Sequence, residues 1–129
     1  SNKCWMHRGN DAVPIVIGGE QPIDVAYTIL AMSKFYSVFK EENYFDKLTT
    51  AFSWFLGNNH LHQIVYNHCT GGCYDGLEDE YVNLNQGAES TLSFLMARMT
   101  IEKHLSTHKD TMMLWNEEDE VSSQQAFVI

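Results

Sequence analysis

The amino-acid sequence predicts an all-α fold built from antiparallel helical hairpins, with one long ordered loop before the last main helix. Three segments repeat their apolar residues at steps of three and four, which is the period of a helix buried on one face. A fourth segment, residues 66–86, lacks this period and is interrupted by glycines. A chain of 129 residues allows one domain, since domains commonly span about 100–200 residues. We therefore expect a single α-hairpin domain over residues 1–129.

The first predicted helix runs from about residue 22 to residue 40. Pro22 suits a first helical position, because its missing N–H leaves no hydrogen bond unmade there. Asp24 falls in the first turn, where its charge meets the positive end of the helix dipole. The apolar positions that follow at helical spacing are Ala26, Ile29, Leu30, Phe35, Tyr36 and Phe39.

The second predicted helix covers about residues 43–56 and ends before Gly57, a residue type that commonly stops helices. Its apolar stripe consists of Tyr44, Phe45, Leu48, Ala51, Phe52, Phe55 and Leu56. Only a few polar residues separate it from the first helix. A link this short predicts that the two helices form an antiparallel hairpin.

The third predicted helix spans about residues 88–105 and is apolar on two sides. Phe94 and Ile101 form one strip, and a second face is formed by Ala88, Leu92, Leu95, Met96 and Met99. A helix that is apolar on two sides packs on two sides. We therefore expect it to meet further helices of a longer parent chain, or a partner subunit.

The remaining segments are a loop and a tail. Loops longer than about 12–15 residues are usually functional or disordered, and the aromatic and apolar residues of 66–86 favour an ordered loop with a short extended stretch at 81–84. In the tail, about residues 109–129, the apolar residues 112–115 could dock on the core. Residues 122–125 are expected to fray.

Charge and composition exclude several classes of protein. The formal net charge of -9 repels phosphate backbones, so we expect no nucleic-acid partner. No apolar run approaches the roughly 20 residues that cross a bilayer, so we expect no membrane span. Three cysteines in a chain of this size favour free thiols and a reducing compartment, which predicts a cytoplasmic location.

Polar side chains concentrate at the starts of the first and third predicted helices and in the loop that precedes the third. Amide and carboxylate groups supply hydrogen-bond donors and acceptors, and beside aromatic rings they suit a polyhydroxylated ligand such as a sugar. Asp24 and Glu89 could instead only complement helix dipoles, and Asn85 could only cap a helix. The candidate sugar-binding residues are Glu20, Gln21, Asp24, Tyr74, Asn83, Asn85 and Gln86, with Tyr74 as a stacking ring.

Asp75 and Glu89 are the candidate catalytic residues. A glycosidase needs one carboxyl to protonate the leaving group and a second to activate water or attack, with the two about 5–10 Å apart. The sequence does not fix that distance. It contains no glycine-rich phosphate loop between a strand and a helix, so we expect no nucleotide cofactor in this chain.

A second set of side chains resembles zinc ligands in type, though not in spacing. It consists of His60, His62, His68, Cys69 and Cys73. The two cysteines lack the second paired half of a zinc finger or ribbon, so we predict no metal site. A cysteine nucleophile has still less support, because nothing in the sequence marks an oxyanion hole.

Four motifs carry a family resemblance: residues 19–24 (GEQPID), 51–59 (AFSWFLGNN), 70–77 (TGGCYDGL) and 82–91 (VNLNQGAEST). In this order they resemble the α-helical C-terminal region of bacterial glycosyltransferase-like proteins. That region is similar to the six-hairpin (α/α) toroid superfamily, which includes glycosidases and sugar epimerases. The resemblance covers about residues 11–104. The sequence departs from the pattern at residues 78–81, where a turn richer in Gly and Pro is expected.

The resemblance implies that this chain is a partial (α/α) toroid and a C-terminal fragment of a longer protein, since a full toroid needs twelve helices. It also implies that transferase activity belongs to a separate nucleotide-sugar-binding domain. No catalytic role carries over from the family. The residues that match the motifs and would line the toroid's centre are Glu20, Gln21, Asp24, Asp75, Asn83, Asn85, Gln86 and Glu89.

Three functions are compatible with these observations. The leading one is a carbohydrate-associated accessory module of a glycosyltransferase, with a sugar or glycan as its ligand. The second is a carbohydrate-active domain of glycosidase or epimerase type that uses Asp75 and Glu89. The third is a structural domain that pairs chains through its exposed apolar faces.

Overall fold

The computed structural model describes the backbone of residues 19–125 and the side chains of residues 19–107. Its elements, in chain order, are α1 (Pro22–Phe39), α2 (Glu42–Ser53), a 3-10 turn (Trp54–Leu56), β1 (Gly76–Leu77), β2 (Val82–Asn83) and α3 (Ala88–Gln125). The expected docking of residues 112–115 concerns side chains outside the described residues. The fold is mostly helical as predicted, but it adds a small two-stranded sheet that an all-α class does not include.

Helices α1 and α2 form the predicted antiparallel hairpin. Lys40 takes a left-handed conformation at φ 58°, and its N–H donates to the Tyr36 carbonyl at 2.9 Å, which ends α1. Beside this link, the rings of Tyr36 and Phe45 lie 5.6 Å apart. At the other end of the hairpin, Val25 and Ala51 line one cavity, so the start of α1 faces the end of α2.

Helix α3 lies parallel to α1 and is longer than predicted. Its start at Ala88 agrees with the prediction, but its end near residue 105 was wrong, because the backbone stays helical to Gln125. The reason is that residues 106–125 contain no Gly or Pro to stop the helix, although their apolar period fades. Near its middle, His104 Nε2 is hydrogen-bonded at 2.7 Å to the Ser33 hydroxyl of α1.

The segment between α2 and α3 is ordered, as its aromatic residues predict. Strands β1 and β2 pair antiparallel, with Gly76 opposite Asn83 and Leu77 opposite Val82. Val82–Asn83 falls inside the predicted extended stretch at 81–84. Two isolated bridges complete the loop: Tyr66 pairs with Cys73, and Leu77 pairs with Glu20 just before α1.

The hydrophobic core contains loop residues as well as helix residues. Phe94 of α3 lies at its centre, with its ring 4.3 Å from the stacked ring of Tyr66 and 5.2 Å from that of Phe55. Because the loop contributes side chains to the core, its apolar surface is removed from water only when the loop is ordered. The buried apolar residues are Ala26, Ile29, Leu48, Trp54, Phe55, Val65, Cys73, Leu77, Phe94, Ala97 and Ile101.

The two apolar sides of α3 have different environments. Phe94, Ala97 and Ile101 are buried against the rest of the chain. The second face is exposed, with Leu92 at 59% and Met99 at 70% of full exposure. None of the helices in the described part of the chain combines the length and the apolar character that a membrane crossing requires.

Candidate functional site

A cavity of about 360 Å³ lies where the starts of α1 and α3 meet the β1–β2 hairpin, and we call it the acidic cavity. Five of the nine candidate site residues line it: Glu20, Gln21, Asp75, Asn83 and Glu89. The other lining residues are Gly19, Gly76, Glu78, Gly87, Ala88 and Ser90. Side chains from three motifs, residues 19–24, 70–77 and 82–91, therefore face one space.

The bridge between Glu20 and Leu77 joins the motif at residues 19–24 to the motif at residues 70–77. The Glu20 N–H donates to the Leu77 carbonyl at 3.0 Å, and the Leu77 N–H donates to the Glu20 carbonyl at 2.9 Å. Gly76 makes the approach possible, because a Cβ at that position would lie 2.5 Å from the Glu20 carbonyl oxygen. The glycine of this motif thus serves the assembly of the cavity.

The Glu20 carboxylate is held by two side chains. Trp54 Nε1 donates to its Oε2 at 2.7 Å, and His60 Nδ1 lies 3.6 Å from its Oε1. His60 Nε2 is 2.8 Å from the Glu78 carbonyl, which can only accept, so Nε2 carries a proton. In the described part of the chain, His60 Nδ1 is the buried side-chain atom without a hydrogen-bond partner, and its distance from Glu20 Oε1 is longer than a hydrogen bond.

The Asp75 carboxylate anchors the start of α3. Its Oδ1 accepts the Gly87 N–H at 2.7 Å. Hydrogen bonds from the Ser90 hydroxyl, the Gly87 N–H and the Asn85 amide lower the pKa of the Asp75 carboxyl below its usual range. Gly87 permits the contact, since a Cβ there would lie 2.8 Å from Asp75 Oδ1. Asp75 is therefore ionised near neutral pH, and its hydrogen bonds fix the helix in place.

Glu89 and Asn83 both line the acidic cavity and are exposed. Glu89 is exposed in the first turn of α3, near the positive end of the helix dipole. The Asn83 side-chain oxygen accepts the Asn85 N–H at 3.2 Å. Within the described residues, the NH₂ group of Asn83 has no hydrogen-bond partner, so it can donate to a ligand.

Four candidate residues do not line the acidic cavity, and the side chains of three of them, Tyr74, Asn85 and Gln86, hold the loop together. The Tyr74 hydroxyl accepts a hydrogen bond from the Asn67 amide at 3.2 Å. The Asn85 amide bonds to Asp75. The Gln86 side-chain oxygen accepts from the Thr70 hydroxyl at 2.6 Å. The structure therefore does not bring Tyr74 to the cavity as a stacking ring.

A second cavity of about 440 Å³ lies between α1 and the end of α2, and we call it the Trp54 cavity. Asp24, the remaining candidate residue, lines this cavity and not the acidic one. Glu20 and Gln21 line both. The other lining residues are Val25, Thr28, Thr50, Ala51, Trp54 and Asn58.

The charged residues that line the two cavities are acidic. The lining includes the carboxylates of Glu20, Asp24, Asp75, Glu78 and Glu89. Among the residues that the structure describes, no Lys or Arg lines either cavity. The cavities therefore favour neutral or cationic ligands over phosphates and other anions, because like charges repel at short range.

Trp54 and His60 also position the site, although neither was predicted to do so. Trp54 lies within the second predicted helix but outside its apolar stripe, and only its N–H gives a clue, since a buried indole usually finds an acceptor. His60 entered the sequence analysis as a possible zinc ligand. In the structure it instead lies between Glu20 and the Glu78 carbonyl.

The histidines and cysteines do not form a metal site in the described residues, where no three His, Cys, Asp or Glu side chains are placed to hold an ion. Cys69 is exposed, with its sulfur 3.4 Å from His68 Nε2. Cys73 is buried, and burial together with the charge of Asp75 raises the pKa of its thiol to about 12. A thiol that is neutral at physiological pH is a poor nucleophile.

Comparisons with known proteins do not assign the chain to a family. No protein-family model matches the sequence, and no curated protein is similar enough to count as a relative.

Proposed function

We propose that the chain is a carbohydrate-binding accessory module of a glycosyltransferase-like protein and that it binds sugar hydroxyls in the acidic cavity. The observation that carries the proposal is the meeting of Glu20, Gln21, Asp75, Asn83 and Glu89 around one space. Carboxylates accept from hydroxyls, while side-chain amides both donate and accept. A polyhydroxylated ligand needs both kinds of group at several points.

The charge of the cavities narrows the ligand to sugars without phosphate or carboxylate groups. Sugar phosphates and nucleotide sugars would bring negative charge beside Glu20, Asp75 and Glu89. The proposed ligand is therefore a neutral sugar or an amino sugar, and the transfer of a nucleotide-activated sugar belongs to another part of the proposed parent protein.

The family resemblance supports the wider context of this proposal. The resemblance implies that the three helices would form part of an (α/α) toroid, in the C-terminal region of a longer bacterial chain. The free thiols of Cys69 and Cys73 agree with a reducing, cytoplasmic setting. On this proposal, the exposed face of α3 meets helices of the rest of the parent chain.

Binding fits the geometry better than acid–base catalysis by Asp75 and Glu89. A general acid must carry a proton near neutral pH. Asp75 is ionised there, because hydrogen bonds from Ser90 and Gly87 lower its pKa, so it cannot be the acid. It would also be a weak base, because the same hydrogen bonds stabilise its ionised form.

The proposal is tested by replacing Glu89 with alanine and measuring affinity for neutral mono- and disaccharides by calorimetry. Loss of a hydrogen bond to a charged group costs about 1.5–3 kcal/mol, so we expect Glu89→Ala to weaken binding by about tenfold or more. The thermal unfolding midpoint should change little, because Glu89 is exposed.

Glu80→Ala is the matched control, since Glu80 is an exposed carboxylate that lines neither cavity. It should leave sugar affinity unchanged. Equal affinities for the wild type and Glu89→Ala would remove Glu89 from the site. Binding of glucose 6-phosphate as tight as that of glucose would contradict the charge argument.

An assembly role is the second candidate function, favoured by the exposed apolar face of α3. Leu92, Leu95, Met96 and Met99 together leave this face open to water. On this alternative, a second copy of the chain covers it. Sedimentation velocity decides between the two: a concentration-independent monomer contradicts pairing, whereas a dimer that Met99→Glu dissociates supports it.

A further inference from the structure

The acidic cavity and the Trp54 cavity adjoin at the segment that precedes α1. Glu20 and Gln21 line both cavities, so the segment forms a wall that the two spaces share. Their volumes are about 360 and 440 Å³. Each volume by itself falls within the range of about 300–1,000 Å³ that is usual for small-molecule sites. Two neighbouring spaces of this size exceed what a single sugar ring requires.

The shared wall is rigid. The backbone of Glu20 is paired with Leu77 through two hydrogen bonds, and its carboxylate is fixed by Trp54 Nε1. Gln21 follows at the N-cap position of α1, yet its side chain makes no capping hydrogen bond. One fixed carboxylate and one amide that does not cap the helix thus stand at the junction.

The Trp54 cavity differs from the acidic cavity in its walls. Val25, Ala51 and Trp54 give it apolar surface, while Asp24, Thr28 and Asn58 supply polar groups. A sugar ring has an apolar face of C–H groups and a polar rim of hydroxyls, and this lining matches both. The acidic cavity is instead lined mainly by acidic residues, by the amide residues Gln21 and Asn83, and by glycines.

We propose that the ligand is an uncharged oligosaccharide of at least two units, with one unit in each cavity and the glycosidic linkage at Glu20 and Gln21. This inference rests on the proposed sugar binding and adds the ligand's length and direction. On this proposal, one ligand contacts both cavities at once, with Glu20 and Gln21 as the residues common to the two.

The inference is tested by calorimetry with matched sugars: glucose against maltose and cellobiose, mannose against mannobiose, and N-acetylglucosamine against its β-1,4-linked dimer. We expect at least one disaccharide to bind about tenfold or more tightly than its monosaccharide, a gain of about 1.4 kcal/mol. Thr50→Trp is the blocking variant, because Thr50 is exposed on α2 and lines only the Trp54 cavity. It should abolish the gain, so that the disaccharide binds no more tightly than its monosaccharide.

Asn43→Trp is the control. Asn43 is also exposed and lies two turns earlier on the same side of α2, outside both cavities. It should preserve the disaccharide gain, and the circular dichroism of both variants should match that of the wild type.

The outcomes separate the two proposals. Equal affinity for mono- and disaccharides, or a disaccharide gain that Thr50→Trp leaves intact, overturns the two-cavity inference while sugar binding at Glu89 stands. The absence of binding by every probe to the wild-type chain overturns the proposed function, and the inference with it.

Discussion

At the scale of single residues, Asp75 shows how one carboxylate can serve both structure and site. It accepts from the backbone of Gly87 and from the hydroxyl of Ser90, so it acts on α3 as a helix cap from a distant part of the chain. Caps of this kind contribute about 0.5–2 kcal/mol. Its position in the cavity follows from that structural role.

Asp75→Asn should therefore destabilise the fold by about 1 kcal/mol at neutral pH. The hydrogen bonds that lower its pKa stabilise the folded state above the unfolded pKa of about 3.9. This stabilisation is lost as the pH falls through the lowered folded-state pKa. Urea unfolding of the variant and the wild type should give different free energies near neutral pH and converging ones in acid.

Asp46→Asn is a suitable comparison, because Asp46 is exposed on α2. It should change the free energy of unfolding by less than about 0.5 kcal/mol. A constant difference between Asp75→Asn and the wild type at every pH would mean that the charge of Asp75 plays no part.

His104 makes a second prediction about pH. Burial, with the charges of Lys103 and Lys40, lowers the pKa of His104 below its usual value. His104 therefore binds a proton at a higher pH in the unfolded chain than in the folded chain. The free energy of unfolding then falls as the pH drops below about 6.5. His104→Gln keeps a partner for Ser33 without titrating, and should reduce this loss.

The measurement is the thermal midpoint at about pH 7.5 and about pH 5.5, on either side of the usual histidine pKa. His68→Gln serves for comparison, because His68 is exposed. If both variants lose as much stability on acidification as the wild type, His104 is not the group responsible.

At the scale of elements, the pairing of Glu20 with Leu77 assembles the site. Gly76→Ala would place a methyl group against the Glu20 carbonyl, where the backbone has no room to yield. Overpacking of this kind costs about 1–3 kcal/mol. We expect the variant to lose stability and its Glu20 and Leu77 amides to exchange faster with deuterium.

Gly71→Asn offers the contrast for Gly76→Ala. Gly71 has a left-handed φ of 75°, which asparagine tolerates, and open space around its Cβ direction. Stability should stay nearly unchanged. Slow exchange at Leu77 in Gly76→Ala would show that the bridge survives the added methyl group.

The elements also show what the sequence can predict. The starts of α1 and α3 follow from Pro22 and from the polar run before Ala88, because local chemistry fixes helix starts. The prediction for the end of α3 was wrong, because the apolar period ends near residue 105 while the backbone stays helical to Gln125. The two-residue strands were visible only as an extended stretch, because such short pairing depends on partners distant in the sequence.

At the scale of the whole molecule, Phe94 joins the helices to the loop. Its ring contacts Phe52, Phe55 and Tyr66, so one side chain of α3 touches the end of α2 and the ordered loop. Phe94→Ala should cost about 3–5 kcal/mol, the usual range for a buried phenylalanine. Chemical unfolding measures the loss directly.

Met99→Ala is the contrast, because Met99 lies on the same helix but is exposed. It should change stability by less than about 0.5 kcal/mol. A large loss in Met99→Ala would mean that its face is covered in solution.

The composition of the site was more predictable than its geometry. Glu20, Gln21, Asp75, Asn83 and Glu89 could be chosen from residue type and position at helix starts. These residues come together because Glu20 pairs with Leu77. The Glu20 carboxylate is in turn positioned by Trp54 and His60. None of these contacts has a local sequence signal, because each joins residues on different elements.

The same bridge bears on the order in which the chain folds. The α1–α2 hairpin closes over a short stretch of sequence, whereas Glu20 meets Leu77 only after α2 and much of the loop lie between them. Contacts of long sequence separation form late, because closing a large loop costs entropy before it gains contacts. A ligand can bind and stabilise the chain only after the cavities have formed. It should therefore slow unfolding and leave the rate of folding unchanged.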